Sequence, residues 1–361
     1  MSRVLLRSLV ALVLIAAAGL IAWRVLAPAE VLSPAASGYP APAGLGPRVT
    51  GRTNQAPLIV DERIRVYAGK RQVRADGPVD AKSVNTARWS LRRWPEQVSG
   101  VVAAGSTVVS RWSDGELIAV DGRTGERVWR VGTSLPAPAF AGHRTGASAV
   151  WAPPGLHVAD GAVLVAGGGR LAAYEVASGV RRWVADVPAG CRDGFTTVGG
   201  QYFCATGGYS MSTGAALTPY PVGPFQPVAC AVAPSGCAGL RDKDGRGYLA
   251  GGEALRRSPE LDEAGTTVVG GEVVSVPAGV QVLGVSRDRL VVLTAGRHLR
   301  VLPTGAEFPL AVGTEKLTWK PGLWQVTDDY VAIERLTGDG PADPEAPGHY
   351  FTVDTVIIAA V

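Results

Sequence analysis

Short apolar runs separated by turn residues fill the chain from about Leu58 onward. The runs are four to eight residues long, as in Leu117–Val120 and Leu290–Thr294, and Gly, Pro, Asp or Asn stands between them. No long segment shows the 3.6-residue period of an amphipathic helix, which a doubly wound α/β fold would need between its strands. The pattern therefore predicts an all-β domain over residues 58–361.

One sequence unit recurs within this domain. Leu117–Trp129 reads as a strand, a turn with Asp-Gly and Thr-Gly, and a second strand ending on Trp; Leu171–Trp183 is a weaker copy. A third copy ends on Trp89, so the tryptophans are 40 and 54 residues apart. Four short strands per ~40 residues are typical of propeller blades. The spacing predicts a β-propeller of about seven four-stranded blades, or eight if the longer gap hides further strands.

The segment Leu117–Trp129 resembles the repeat of the pyrroloquinoline-quinone-like (PQQ-like) β-propellers. That family includes quinoprotein alcohol dehydrogenases and the outer-membrane assembly scaffold of Gram-negative bacteria. The resemblance implies that a tryptophan wedges between adjacent blades, and the positions that match this role are Trp89, Trp129 and Trp183. It implies the fold and says little about function.

The quinone chemistry of that family is not supported by the residues here. The resemblance implies a cofactor beneath a disulfide of adjacent cysteines, with calcium bound by Glu and Asn. This sequence has no Cys-Cys pair, and Asn54 and Asn85 are its two asparagines. We therefore expect no cofactor and no enzyme, with a quinoprotein-type oxidoreductase or a small-ligand sensor in the propeller channel as the alternatives.

The N-terminus carries a long apolar run. The stretch Ser8–Trp23 has no charge and is bracketed by Arg7 and Arg24, which predicts a signal-anchor helix over residues 1–27 with the remainder outside the cytoplasm. Cleavage after Ala27-Pro28-Ala29 is the alternative. Residues 28–57 are rich in Pro, Ala and Gly and are predicted to be a linker.

Four cysteines follow in the exported part. Their spacing contains no Cys-x-x-Cys pair, so a zinc site is not indicated, and outside the cytoplasm they are expected to form disulfides. Each candidate pair flanks a glycine-containing turn. We predict the pairs Cys191–Cys204 and Cys230–Cys237.

The remaining candidate motifs are weak. The histidines are far apart and match no metal or triad spacing: His143, His157, His298 and His349. Asp242–Gly247 lacks the ligands of a calcium loop and is interpreted as a charged hairpin turn. Two Arg/Trp groups could bind anions or sugars, although ordinary cation–π contacts are favoured: Arg92–Pro95 and Arg111–Trp112.

The net charge is +4, and three of these charges flank the N-terminal run. Scattered basic residues do not indicate a nucleic-acid surface. We predict that the apolar C-terminal run Tyr350–Val361 closes the ring by pairing with residues 58–67, and that 337–348 is an exposed hairpin loop. The function expected is that of a membrane-anchored scaffold, which binds the membrane through its N-terminal helix and contacts another envelope protein.

Overall fold

A computed structural model describes most of the chain. The residues described are 2–80, 87–142, 145–188, 191, 194–205, 207–217, 223–232, 235–252, 254–310, 319–336, 342–343, 346–350 and 356–361. The start of the repeat before Trp89 and His143 lie outside these residues, as does most of the predicted 337–348 loop.

The chain begins with helix α1 (Ser2–Leu26), which continues through the apolar run and ends just before Pro28. A proline cannot continue a helix, and it also disfavours helical backbone in the residue before it. Large apolar side chains of α1 are exposed: Leu9, Val10, Leu12, Val13, Leu14, Ile15 and Leu20. Within the described residues, no helix combines the length and the apolar character that crossing a membrane requires.

The predicted linker contributes two strands, β1 (Ala29–Ser33) and β2 (Arg48–Thr53). The first sheet is built from β3 (Leu58–Val60), β4 (Ile64–Gly69), β5 (Gln72–Asp76) and β6 (Trp89–Trp94), and β1 adds to it as a fifth strand along β6. The linker prediction is thus wrong for these stretches. Composition did not reveal them because an edge strand takes its stability from a preformed partner edge.

The next two sheets are regular four-stranded meanders. The second sheet contains β7 (Val98–Ala104), β8 (Thr107–Trp112), β9 (Glu116–Asp121) and β10 (Arg127–Gly132). After helix α2 (Ala147–Val150), the third sheet contains β11 (Leu156–Ala159), β12 (Ala162–Gly167), β13 (Arg170–Glu175) and β14 (Arg181–Asp186). In the turn between β9 and β10, Asp121 accepts hydrogen bonds from the backbone of Arg123 and Gly125, as the turn chemistry predicts.

The later sheets are less regular. The fourth contains β15 (Gly194–Thr196), β16 (Gln201–Cys204) and β17 (Gly207–Ser210); the fifth contains β18 (Gln226–Val232), β19 (Ser235–Arg241), β20 (Gly247–Ala250) and β21 (Leu255–Arg257). A 3₁₀ turn (Pro259–Asp262) precedes the hairpin of β22 (Thr266–Val269) and β23 (Glu272–Ser275). The sixth sheet contains β24 (Val280–Ser286), β25 (Arg289–Thr294), β26 (His298–Leu302) and β27 (Ala306–Pro309).

The last sheet joins the two ends of the chain. It contains β28 (Lys320–Val326), β29 (Tyr330–Leu336), then β32 (Val356–Ala360) and, outermost, β2. Between β29 and β32, the short pair β30 (Ala342–Asp343) and β31 (Ala346–Tyr350) forms a hairpin. The pairing of β32 is with residues 48–53 and not with 58–67. Residues 58–60 are already the first strand of the first sheet, so the segment before them is the one left to close the last sheet.

Candidate functional site

The segment between β10 and β11, residues 133–155, is called the plug segment here. It accounts for the wide spacing between Trp129 and Trp183, and its described residues contain helix α2 and no strand. Gly146, at φ 75°, turns the chain into α2, and the helix ends as Trp151 donates its backbone N–H to the Ala147 carbonyl. The extra residues in this gap therefore form an inserted loop and do not supply another blade.

The plug segment fills space between sheets. Helix α2 packs against β4, β7 and β28, which belong to the first, second and last sheets. Trp151 is fully buried in the largest apolar cluster, and its Nε1 donates to the Pro57 carbonyl at 2.8 Å. The backbone N–H of Ala56 donates to the Thr145 carbonyl at 2.7 Å. An apolar element thus occupies the region where these sheets converge.

A cleft of 260 Å³ lies between the plug segment and the last sheet. It is lined by Gly142, Thr145, Ala147, Ser148, Gly322, Leu323, Glu334 and Leu336. The carboxylate of Glu334 is buried at one side, where it accepts a hydrogen bond from Thr145 Oγ1 at 2.5 Å and one from the Leu323 backbone at 3.3 Å. This cleft offers an apolar surface beside a fixed acceptor, which suits an apolar side chain of another protein.

The outer part of the plug segment is exposed and held from beneath. Its exposed residues include Ser134, Pro136, Pro138, Ala139 and Ala141. Arg111 Nη2 donates to the Pro136 carbonyl at 2.7 Å, and Ser99 Oγ donates to the Pro138 carbonyl. The prolines restrict the backbone further, so this surface is presented with little conformational freedom.

Arg111, a candidate anion- or sugar-binding residue, is fully buried. Its Nη1 donates to the carbonyls of Gly155 and Ala166 at 3.0 and 3.2 Å. Burial lowers the pKa of Arg111 to about 10, because the charged form loses its hydration. The residue therefore braces the plug segment from inside and is not available to a ligand in solution.

The other Arg/Trp group forms an ion network. Arg93, with 8% of its side chain exposed, contacts Glu30 at 3.2 Å, Asp114 at 2.8 Å and Glu116 at 2.7 Å. Glu30 lies on β1 and reaches two further arginines, Arg127 at 3.0 Å and Arg130 at 3.1 Å. The network fixes β1 against the first and second sheets.

Trp94 belongs to a different contact from the Arg93 network. The guanidinium carbon of Arg71 lies 3.9 Å from the centre of a Trp94 ring. This is a cation–π stack of the ordinary structural kind.

The three repeat tryptophans occupy equivalent places. Each donates its indole N–H to a carbonyl in the turn before the outer strand of the following sheet: Trp89 to Gly122 at 2.9 Å, Trp129 to Val176 at 2.7 Å, and Trp183 to Met211 at 2.9 Å. The Trp129 ring lies directly on Gly179, at φ 70°, where a Cβ would come within 2.7 Å of Cδ2. The turn glycine of the repeat therefore leaves room for the neighbouring tryptophan.

The cysteines form both disulfides predicted above, Cys191–Cys204 and Cys230–Cys237. The first joins the segment before β15 to β16, and the second joins the facing strands β18 and β19. Asp242–Gly247 is the turn between β19 and β20, as predicted, with Asp242 Oδ1 accepting from the backbone of Asp244 and Arg246 at 2.9 Å each.

The histidines do not converge. His298 lies at the surface, with Nδ1 3.0 Å from Glu307 Oε1. His157 is buried, its ring centre 5.0 Å from that of Tyr202, and neither of its ring nitrogens has a hydrogen-bond partner within the described structure. Desolvation, with a smaller contribution from Arg111, lowers the pKa of His157 to about 4. In the part of the chain that is described, no three His, Cys, Asp or Glu side chains are grouped to hold a metal.

Comparison with known proteins agrees with the repeat. Residues 82–217 match the family described as outer membrane protein assembly factor BamB. The chain carries PQQ-like β-propeller repeats. No curated protein sequence matches the propeller.

Two solved structures are similar to the propeller chain. BamB from Moraxella catarrhalis superposes with a TM-score of 0.40 and 14% identity, over 91% of this chain and 97% of that chain. The C-terminal WD40 domain of Sif2 superposes with a TM-score of 0.42 and 12% identity, over 80% and 81%.

Several site residues escaped the sequence reading. Glu334 and Gln325 sit in apolar β29 and β28 as isolated polar residues, and Gln325 exchanges hydrogen bonds with the backbone of Ile59 at 2.8 and 3.0 Å. A lone polar residue within an apolar strand was the available signal. Glu30 gave no signal, because its three arginines come from elsewhere in the chain.

Proposed function

We propose that the protein is an extracytoplasmic β-propeller, built as a ring of seven blades, that binds another protein of the cell envelope. The observation that carries this proposal is the plug segment. Apolar residues of α2 and Trp151 occupy the region where three sheets meet, while a rigid outer surface and the Glu334 cleft face outward. A filled centre with a braced external loop fits a binding scaffold better than a site that processes substrate within a channel.

The location outside the cytoplasm is supported by two features. Both cysteine pairs are disulfide-bonded, and such bonds persist in oxidising compartments. Helix α1, with its exposed apolar side chains, is proposed to direct export and is either retained or removed. Cleavage after Ala29 would take the first residue of β1, so N-terminal sequencing of the mature protein distinguishes the two fates.

The partner proposal is tested by site-specific crosslinking in intact cells. A photoreactive residue is placed at Ala139 or Ala141 on the plug segment. The matched control positions are Arg123 and Thr124, which are also exposed and lie in the turn at the opposite end of β10. We expect both plug positions to crosslink one and the same envelope protein, and neither control position to do so. Equal labelling from both ends of β10, or no protein crosslinked from the plug segment, would reject the proposal.

A further inference from the structure

A second cleft lies far along the chain from the plug segment and shares no lining residue with it. It measures 590 Å³ and is lined by Asp160, Val198, Gly199, Gly200, Gln201, Ser210, Ser212, Thr213, Ala215, Leu217 and Gly252. We call it the rim cleft, because turns of the third, fourth and fifth sheets form it. Its volume lies within the roughly 300–1,000 Å³ of small-molecule sites.

The floor of the rim cleft is fixed by a buried amide. Gln201 is 1% exposed, and its Nε2 donates to the carbonyls of Gly199 at 2.8 Å and Gly252 at 2.7 Å. Its Oε1 accepts from Thr197 Oγ1. One side chain thus joins turns from two sheets, so the cleft is formed before any ligand arrives.

The carboxylate of Asp160 is available at one wall. Asp160 is exposed and adopts φ 49°, and its carboxylate has no hydrogen bond or ion pair with any residue that the structure describes. It lies over Gly200, where a Cβ would come within 3.0 Å of the Asp160 Cβ. The acceptor is therefore held over the cleft by backbone geometry, without a cation to neutralise it.

The other walls carry hydroxyl groups and an apolar patch. Ser210 Oγ and Ser212 Oγ are 2.9 Å apart, and Thr213 lies beside them. Val198 is 62% exposed. No lining residue is cationic, so an anionic ligand would be repelled by Asp160, and an apolar one would leave the hydroxyls without partners.

From this lining we propose that the rim cleft binds a short neutral oligosaccharide. Sugar hydroxyls donate to the Asp160 carboxylate and exchange hydrogen bonds with Ser210 and Ser212, while the C–H face of a ring packs on Val198. This site goes beyond the scaffold function proposed above and does not depend on it.

The test is a titration of the purified protein with maltotriose, cellotriose and chitotriose, followed by calorimetry. We expect at least one trisaccharide to bind, with little change on raising the salt concentration. Asp160→Asn should weaken binding at least tenfold, since it removes the charged acceptor. Asn tolerates the left-handed backbone, so the variant should keep the wild-type melting temperature.

Asp186→Asn is the matched control, because this side chain is 94% exposed on β14 and outside the cleft; its binding should equal that of the wild type. The inference is rejected if no trisaccharide binds at about 20 mM, or if Asp160→Asn binds as the wild type does. Salt-sensitive binding of a primary amine in place of the sugars would also reject it. Crosslinking from the plug segment is unaffected by any of these outcomes, so the two proposals fail independently.

Discussion

The contact between the second and third sheets differs from that between the fourth and fifth. In the first contact a repeat tryptophan, Trp129, packs on Gly179 and donates to a turn carbonyl. In the second no tryptophan is present among the described residues; Gln201 bridges to Gly252, and the Val198 backbone donates to the Cys237 carbonyl at 3.0 Å. Where the repeat has decayed, buried polar bridges and disulfides take the place of aromatic docking.

The largest expected effect breaks the aromatic contact. We propose that the three repeat tryptophans hold neighbouring blades together, so Trp129→Ala should lower the free energy of unfolding by about 3–5 kcal/mol. The loss combines the buried ring and the indole hydrogen bond. Urea denaturation measures it, with the half-exposed Trp94→Ala as the control, for which we expect about 1 kcal/mol or less. Equal losses for the two variants would contradict the docking role.

The boundary between the two regions is expected to respond to pH through His157. Its pKa falls from 6.5 to about 4 on folding, so the unfolded chain binds the proton more readily. Stability is therefore complete above pH 6.5 and is lost as the pH falls towards 4, by about 3 kcal/mol at most. Denaturation between pH 7 and 4 measures this slope. His157→Phe should flatten it, while His298→Phe at the surface should leave it unchanged; a slope that survives in His157→Phe assigns it to other groups.

The polar bridge of the later region should contribute less than the tryptophan. Gln201→Leu removes both donors to Gly199 and Gly252, and we expect a loss of roughly 1–3 kcal/mol in unfolding free energy. Gln281, exposed on β24, provides the control substitution Gln281→Leu with almost no effect. If Gln201→Leu proved as costly as Trp129→Ala, the two contacts would be energetically equivalent and the contrast between them would be lost.

The smallest expected effect concerns the strand added to the first sheet. Glu30→Gln keeps the shape of the side chain but removes the charge that contacts three arginines. These pairs are partly exposed, so we expect a loss of about 1 kcal/mol that shrinks as salt is added. Hydrogen exchange of the β1 amides measures the release of the strand. Unchanged exchange would mean that backbone pairing with β6 is sufficient.

Much of the fold followed from local pattern. Alternating apolar runs and glycine turns predicted the strands of the second and third sheets, and the cysteine spacing around turns predicted both disulfide pairs. The linker prediction failed at β1 and β2 because these strands have little apolar character of their own. The closing partner of β32 was misplaced for the same reason: the pairing is chosen by which edge remains free once the other sheets have formed.

The candidate sites were far less predictable. Pro136 and Pro138 marked an irregular stretch, yet the bracing by Arg111 depends on a side chain from another sheet. The rim cleft draws on Asp160, Gln201 and Gly252, which are separated by tens of residues and carry no motif.

The sequence by itself determined the all-β class, the blade repeat and the cysteine pairing, because each depends on neighbours within a few residues or within one hairpin. Only the tertiary structure decided how the ring closes, what fills the space between the sheets, and where carboxylates and hydroxyls meet. Those outcomes depend on contacts between residues that are distant in sequence, such as Ile59 with Gln325 and Glu30 with Arg130. Contacts of that kind follow from the relative placement of whole sheets, which no local pattern encodes.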